Sequence, residues 1–208
     1  MRVLIKTKMI KKRQDRNMYL CDMTKERIIL GIDPGSNIMG FGVIGVKGKV
    51  LRHIDLGIIK QSSKVEDHFE KLRYIFSETI AIIDQYKPDE FAIEAPFYGN
   101  NVQSMLKLGR AQGVAIAAAL SKGLVISEYS PRKVKQSVSG SGSSSKEQIA
   151  RYCAQILNQP QFDQKYLDAT DGLAVAICHA LQGGQSLGKQ KGATGWDAFI
   201  KQNPNRIK

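Results

Sequence analysis

The sequence predicts a three-layer α/β domain over residues 27–182, a five-stranded mixed sheet flanked by helices. Three observations carry this. Three short apolar runs precede the first long amphipathic stretch. Two further apolar runs then alternate with helical periodicity. Two more helical patterns close the region, giving the order βββαβαβαα.

The first run, Arg27-Ile-Ile-Leu-Gly-Ile-Asp33, is stopped by Asp-Pro-Gly-Ser, the signature of a strand running into a turn. Met39–Val46 and Val50–Ile59 read as two more strands around the turn-forming Lys47-Gly48-Lys49, so the first three strands form an antiparallel meander. From Lys64 to Tyr86, Val65, Phe69, Leu72, Phe76, Ile80 and Ile83 recur every three or four residues; this is an amphipathic helix, ended by Pro88. Glu90–Glu94 is a fourth strand. A helix over Val102–Lys122 follows, and its apolar half, Val114–Leu120, calls for burial on more than one face. Leu124–Tyr129 is the fifth strand. Pro131–Lys135 begins a short helix, and Ser139–Ser145 reads as a flexible Gly/Ser loop. Ser144 or Ser145 with Glu147 or Gln148 forms a capping box, after which Ile149, Tyr152, Cys153 and Ile156 share one helical face. A final helix near Asp168–Leu181 buries Leu173, Ala176, Ile177 and Ala180.

The chain has 208 residues and a formal charge of +12, unevenly placed. Residues 1–22 carry seven basic and two acidic side chains, residues 183–208 five and one, which leaves only +3 for 23–182. Overall charge points to nucleic acid or an anionic surface, but most of it lies in expected tails, so the core has to be read by its motifs. The longest uninterrupted apolar stretch, Val114–Leu120, is far short of the roughly 20 residues that span a bilayer. The basic start lacks an apolar h-region. Three widely spaced cysteines, Cys21, Cys153 and Cys178, with no CxxC, fit a reducing compartment. The expectation is a cytoplasmic protein with no membrane association.

Asp33 and Glu94 each close an otherwise apolar strand. A right-handed helical crossover makes the fourth strand parallel to the first, and strands about 4.8 Å apart let carboxylates at corresponding ends share a cation. Asp168 and Asp171, three apart on a helix, lie on one face. If that face meets the same sheet edge, four carboxylates converge, and a hard divalent cation such as Mg²⁺ is the natural compensation. Each also has a plainer role available: an Asp before Pro-Gly is often only a turn residue, and Asp168 can simply cap its helix. Spacing suggests a site without naming one.

Gly31-Ile-Asp-Pro-Gly-Ser36, Phe91-Ala-Ile-Glu94, Leu106-Lys-Leu-Gly-Arg-Ala-Gln-Gly-Val-Ala115, Val134-Lys-Gln-Ser-Val-Ser-Gly-Ser-Gly142 with Lys146, and Asp168-Ala-Thr-Asp-Gly-Leu-Ala-Val-Ala-Ile177 together resemble the RuvC Holliday-junction resolvases, from about Ile28 to Leu181. Each motif alone is weak; their order and spacing are specific. The resemblance implies a ribonuclease H-like fold, a homodimer, and cleavage of four-way DNA junctions that leaves 5′-phosphate and 3′-hydroxyl ends. It implies that Asp33, Glu94, Asp168 and Asp171 form a metal-binding active site for two Mg²⁺ ions, with Mn²⁺ able to substitute. It also implies a junction-binding protein and a branch-migration ring ATPase as partners.

On the same resemblance Lys135 and Lys146 match DNA-contacting basic residues, and Phe97 matches an aromatic that stacks on a base, the alternative being that it packs under the sheet edge. Beside them Arg132 and Lys133 either add phosphate contacts or belong to a solvated charged face. Asn100 departs from the basic residue common there. His53, His68 and His179 have no metal-ligand spacing, and His179 is expected to be packed. Residues 1–22 form a basic extension outside the resemblance, expected to be disordered or not translated: either a basic DNA arm or, as the favoured reading, sequence ahead of a start at Met23; residues 183–208 form a basic tail, disordered or partner-binding, beyond the 23–182 nuclease domain. Two rivals stand beside the nuclease. One is a catalytically inactive junction-binding module, disfavoured because all four acidic positions are filled. The other is a small actin-like-superfamily ATPase, for which 208 residues are too few.

Overall fold

The computed structural model describes residues 25–61, 67–96, 101–163 and 166–183. Strands β1 (Arg27–Asp33), β2 (Ile38–Lys47) and β3 (Val50–Lys60) form the expected antiparallel meander, with Gly48 at φ +61° in the tight β2–β3 turn. Helix α1 (His68–Tyr86) crosses to β4 (Glu90–Glu94), and α2 (Val102–Ser121) crosses to β5 (Val125–Tyr129). Helices α3 (Pro131–Ser139), α4 (Lys146–Ile156) and α5 (Leu167–Leu181) follow. The sheet order is β3-β2-β1-β4-β5, with β1, β4 and β5 mutually parallel. This is the predicted mixed five-stranded sheet.

Strand periodicity divides the core in two. Ile29 and Ala92 face one side with Leu173, Ile177 and Cys153, while Leu30, Ile32, Phe91 and Ile93 face the other with Ile75, Ile83 and Ala115. Helices α3–α5 thus cover one face and α1–α2 the opposite one, which makes the three layers.

Helix α5 lies unusually close to its strands. A Cβ on Gly40 would sit 1.9 Å from the carbonyl oxygen of Asp168, one on Gly42 2.3 Å from the Cα of Leu173, and one on Gly172 2.6 Å from the Cα of Phe41. Only bare backbone allows this approach. Buried along nearly its whole length, α5 is the central helix of the domain.

Several local expectations are corrected. Helix α1 is described from His68, so Lys64 and Val65 lie outside the described residues. Its buried positions are Ile75, Thr79, Ile82 and Ile83, about one residue around from the expected stripe; Phe69 is 74% and Phe76 38% exposed. Thr79 tolerates burial because its hydroxyl donates to the Ile75 carbonyl at 2.7 Å. Tyr152 is exposed, whereas Ile149 and Cys153 are buried. The Ser139–Ser145 segment is an organised turn rather than a loose linker. The Ser139 hydroxyl lies 2.7 Å from that of Ser144, and Ser139 also bonds the carbonyls of Lys135 and Ser141. Ser145 then caps α4 in a complete capping box with Gln148.

Candidate active site

Asp33 and Glu94 stand side by side because β1 and β4 are parallel neighbours in register, Ile32 opposite Ile93, and each acid is the next residue. Alternation fixes their direction. Asp33 shares parity with Ile29 and Gly31, and Glu94 with Ala92, so both turn toward the α5 layer. Asp168 and Asp171 occupy the first turns of α5 on that face. Asp168 does not cap the helix: Tyr166 is the capping residue and makes no side-chain cap bond.

The four charges feel one another. Burial, helped by Asp171 and Asp168 and opposed by Lys146, pushes the Asp33 carboxyl up to about 7. Burial with the charges of Asp33 and Asp171, against Lys135 and Lys146, pushes Glu94 up to about 8. Burial also raises Asp171, against the hydrogen bond from Lys146. The Lys146 ammonium lies 3.0 Å from Asp168 Oδ1 and 2.6 Å from Asp171 Oδ2. Burial works to lower its pKa, and the two carboxylates outweigh that and raise it.

Among the described residues no three acidic, histidine or cysteine side chains already converge as a metal cage. Lys146 serves instead as the counter-ion of the α5 pair, while the carboxylates of Asp33 and Glu94 have no hydrogen-bonding or ion-pairing partner among the described residues. The donor set nevertheless fits a hard divalent cation. It is all oxygen, three of its four members are largely withdrawn from water while Asp168 is half-exposed, and it carries more negative charge than one lysine neutralises.

The structure brings Lys135 and Lys146 to this cluster, each close enough to act on Glu94 and Asp171. Arg132 is exposed, its side chain lying against Gly142 in the serine turn. Lys133 is exposed, and its carbonyl accepts from Cys178 Sγ at 3.9 Å. Phe97, Tyr98 and Asn100 lie outside the described residues. His179 is packed, as expected, its Nδ1 2.7 Å from the Tyr129 hydroxyl and its Nε2 2.5 Å from Glu90.

Sequence reasoning missed Gln112. Its amide, buried between α2 and the sheet, donates to the Glu94 carbonyl at 3.2 Å and to Glu128 Oε1 at 2.6 Å, fixing the end of β4. A polar residue beside the alanines of an apolar helix was the available signal. The strand glycines beneath α5 were visible too, as breaks in otherwise β-branched runs.

A family model described as crossover junction endodeoxyribonuclease RuvC matches residues 29–179. The crossover junction endodeoxyribonuclease RuvC of Christiangramia forsetii is 56% identical over 187 residues, covering 89% of this chain and 95% of that protein. Its counterpart from Bacteroides fragilis is 53% identical over 185 residues, covering 88% and 97%. Among solved structures, Thermus thermophilus RuvC in complex with Holliday junction substrate superposes with a TM-score of 0.68 at 29% identity, covering 76% of this chain and 95% of that one. The yeast mitochondrial Holliday junction resolvase, at 11% identity and a TM-score of 0.58, shares the fold.

Proposed function

Because the chain belongs to the RuvC family of crossover junction endodeoxyribonucleases, we propose that Asp33, Glu94, Asp168 and Asp171 are the nuclease centre with which it resolves Holliday junctions. The activity is that of the family: hydrolysis of phosphodiesters in a four-way junction, a metal-dependent reaction in general. What supports the assignment is that two strand-end carboxylates face the start of the glycine-seated helix α5, near enough to feel the charges of Asp171 and Asp168.

The four carboxylates would hold Mg²⁺, two ions per centre, with Mn²⁺ as a substitute. When bound, the metal supplies Lewis-acid stabilisation of the attacking and leaving oxygens of an in-line displacement, giving 5′-phosphate ends. The chain's own residues do the rest. The carboxylates furnish oxygen ligands, and Gln112 holds the β4 end that carries Glu94. Lys135 and Lys146, held either side of the serine turn, take phosphates beside the cut, with Arg132 and Lys133 further along the same strand path and Phe97 stacking on a base.

Resolution needs two cuts, and one centre makes one, so the working form is a homodimer with two-fold symmetry. Its interface is the outer face of α2. Leu106, Arg110, Gly113, Ala117 and Leu120 recur at helical spacing and are all exposed. Gly109 and Gly113 have open space where a Cβ would stand. Glycine in a helix interior costs about 1 kcal/mol against alanine, and nothing among the described residues repays it there. A second helix approaching closely does. The junction-binding protein and ring ATPase of the resolution complex are the proposed partners, and the cytoplasm the proposed compartment. No described helix is long and apolar enough to cross a membrane.

The test is a labelled synthetic four-way junction incubated with Mg²⁺ and, separately, Ca²⁺. Paired nicks with Mg²⁺, lost in Asp33→Asn, Glu94→Gln, Asp168→Asn and Asp171→Asn while junction binding persists, are expected. Full cutting by any one amide variant removes that residue from the centre. Binding without cutting by the unaltered protein would favour the inactive junction-binding module.

A further inference from the structure

On the sheet face opposite the carboxylates, a cavity of about 230 Å³ opens between the start of β2, the end of β3 and the first turns of α1 and α2. It has room for a phosphate group and several waters, at about 30 Å³ each. Ile75 and Ala111 form its apolar floor. Lys71 and Lys107 reach it from one turn inside α1 and α2, and none of the described residues lining it is acidic. Among the described residues neither lysine is paired with a carboxylate.

Two side-chain atoms in its wall are buried without partners: Oε1 of Gln61 and Nε2 of His68. Gln61 is only 9% exposed, so its amide oxygen has given up water without a partner among the described residues. Turned end for end, that amide presents two donors to the cavity. Ser36 and Ser104 add hydroxyls. Helix α2 begins here with a neutral cap, Asn101, and no acid in its first turn, which leaves its electropositive end uncompensated. Cations, donors and a helix N-terminus without an opposing charge describe a site for a phosphate. Its position names the source. Ser36 lies three residues past Asp33, across the turn that joins the two faces of the sheet edge.

We infer that this cavity seats a second backbone phosphate of the bound DNA, separate from the one that is cut. The inference rests on the nuclease reading above and adds an anchor to it. A strand gripped on one sheet face and cut on the other is fixed in register at two points.

The experiment measures binding to four-way junctions in Ca²⁺, each junction carrying one neutral methylphosphonate, for the unaltered protein and for Lys71→Gln/Lys107→Gln. One position away from the cleavage point is expected to weaken binding to the unaltered protein and to have no effect on the variant. The variant's salt dependence should fall by about 1.8, roughly 0.9 per released contact. Gln61→Leu separates a binding role from a packing defect. It removes a buried orphan, so it should melt higher and yet bind the junction more weakly. Unchanged binding by Gln61→Leu, or a methylphosphonate map identical for protein and variant, overturns the inference. So does a shift of the His68 ring resonances by inorganic phosphate with no sensitive position on the DNA, which assigns the cavity to free anions. Failure of the nuclease reading shows elsewhere, as absence of cutting in Mg²⁺.

Discussion

Asp33 and Glu94 are carboxyls that burial, more than any neighbour, holds partly protonated near neutrality. A carboxyl whose folded pKa is raised binds protons more tightly when folded. Its favourable contribution is therefore complete below the unfolded value near 4 and is lost as pH rises through about 7 and 8. The melting temperature of the metal-free protein should fall between pH 5 and pH 9, and Asp33→Asn/Glu94→Gln should flatten that fall. A slope that survives the double substitution would place its origin elsewhere. A divalent cation must displace those protons, so its affinity, followed by calorimetry, should rise across the same interval. Gln112→Leu leaves the Glu94 carbonyl and the Glu128 carboxylate without their donor. It should cost about 1–3 kcal/mol in denaturant unfolding and slow cleavage with junction affinity unchanged. The acids were legible in the sequence because each ends an apolar run. Gln112 stood out only as a polar residue among alanines; its role was hidden, because its partners are a strand end and a side chain brought to it only by the crossover.

At the scale of elements, the strands and the last helix were plain from pattern, since alternation and apolar runs leave few choices. The face of α1 was not. Phe69, Leu72, Ile75, Phe76, Ile80, Ile82 and Ile83 spread over nearly half of its circumference, and periodicity alone does not select which part of that arc meets the sheet. Packing against α2 decides it. The serine segment was misjudged for a related reason: composition predicts looseness, while the outcome depends on hydroxyls finding one another. Ser139→Ala removes the hub of that turn. It should destabilise by about 1–2 kcal/mol and weaken junction binding by loosening the spacing of Lys135 and Lys146. Gly42→Val puts a branched side chain where the Leu173 backbone stands. It should cost about 3 kcal/mol or prevent folding, and any soluble fraction should bind DNA without cutting it. Normal cutting by a stably folded Gly42→Val protein would show that α5 need not sit so low.

For the whole molecule the property to test is the proposed pairing through α2. Ala117 lies in the middle of the exposed α2 stripe. Ala117→Asp adds a charge there that a closely approaching partner cannot solvate. The variant should sediment as a monomer, keep its metal-dependent melting shift, and convert a cruciform plasmid to nicked circles rather than linear product. Linear product from a species that remains dimeric would move the interface to another surface. The proposed pairing through α2 rests on two signals: an apolar half with too few faces to bury, visible in the sequence, and the open space at Gly109 and Gly113, visible only in the fold.

The seat of α5 has an evolutionary corollary. In an ordinary core a side chain that grows can be rescued by a neighbour that shrinks. Around Gly31, Gly40, Gly42 and Gly172 the atoms an added Cβ would strike include the main chain of Gly172, Asp168, Leu173 and Phe41, and no replacement makes a backbone smaller. These positions have reached a floor of size, so drift at them runs in one direction and finds no suppressor by exchange of volumes. A survey of inactivating changes should trace two outlines: the acids, and a track of glycines that never touch the DNA.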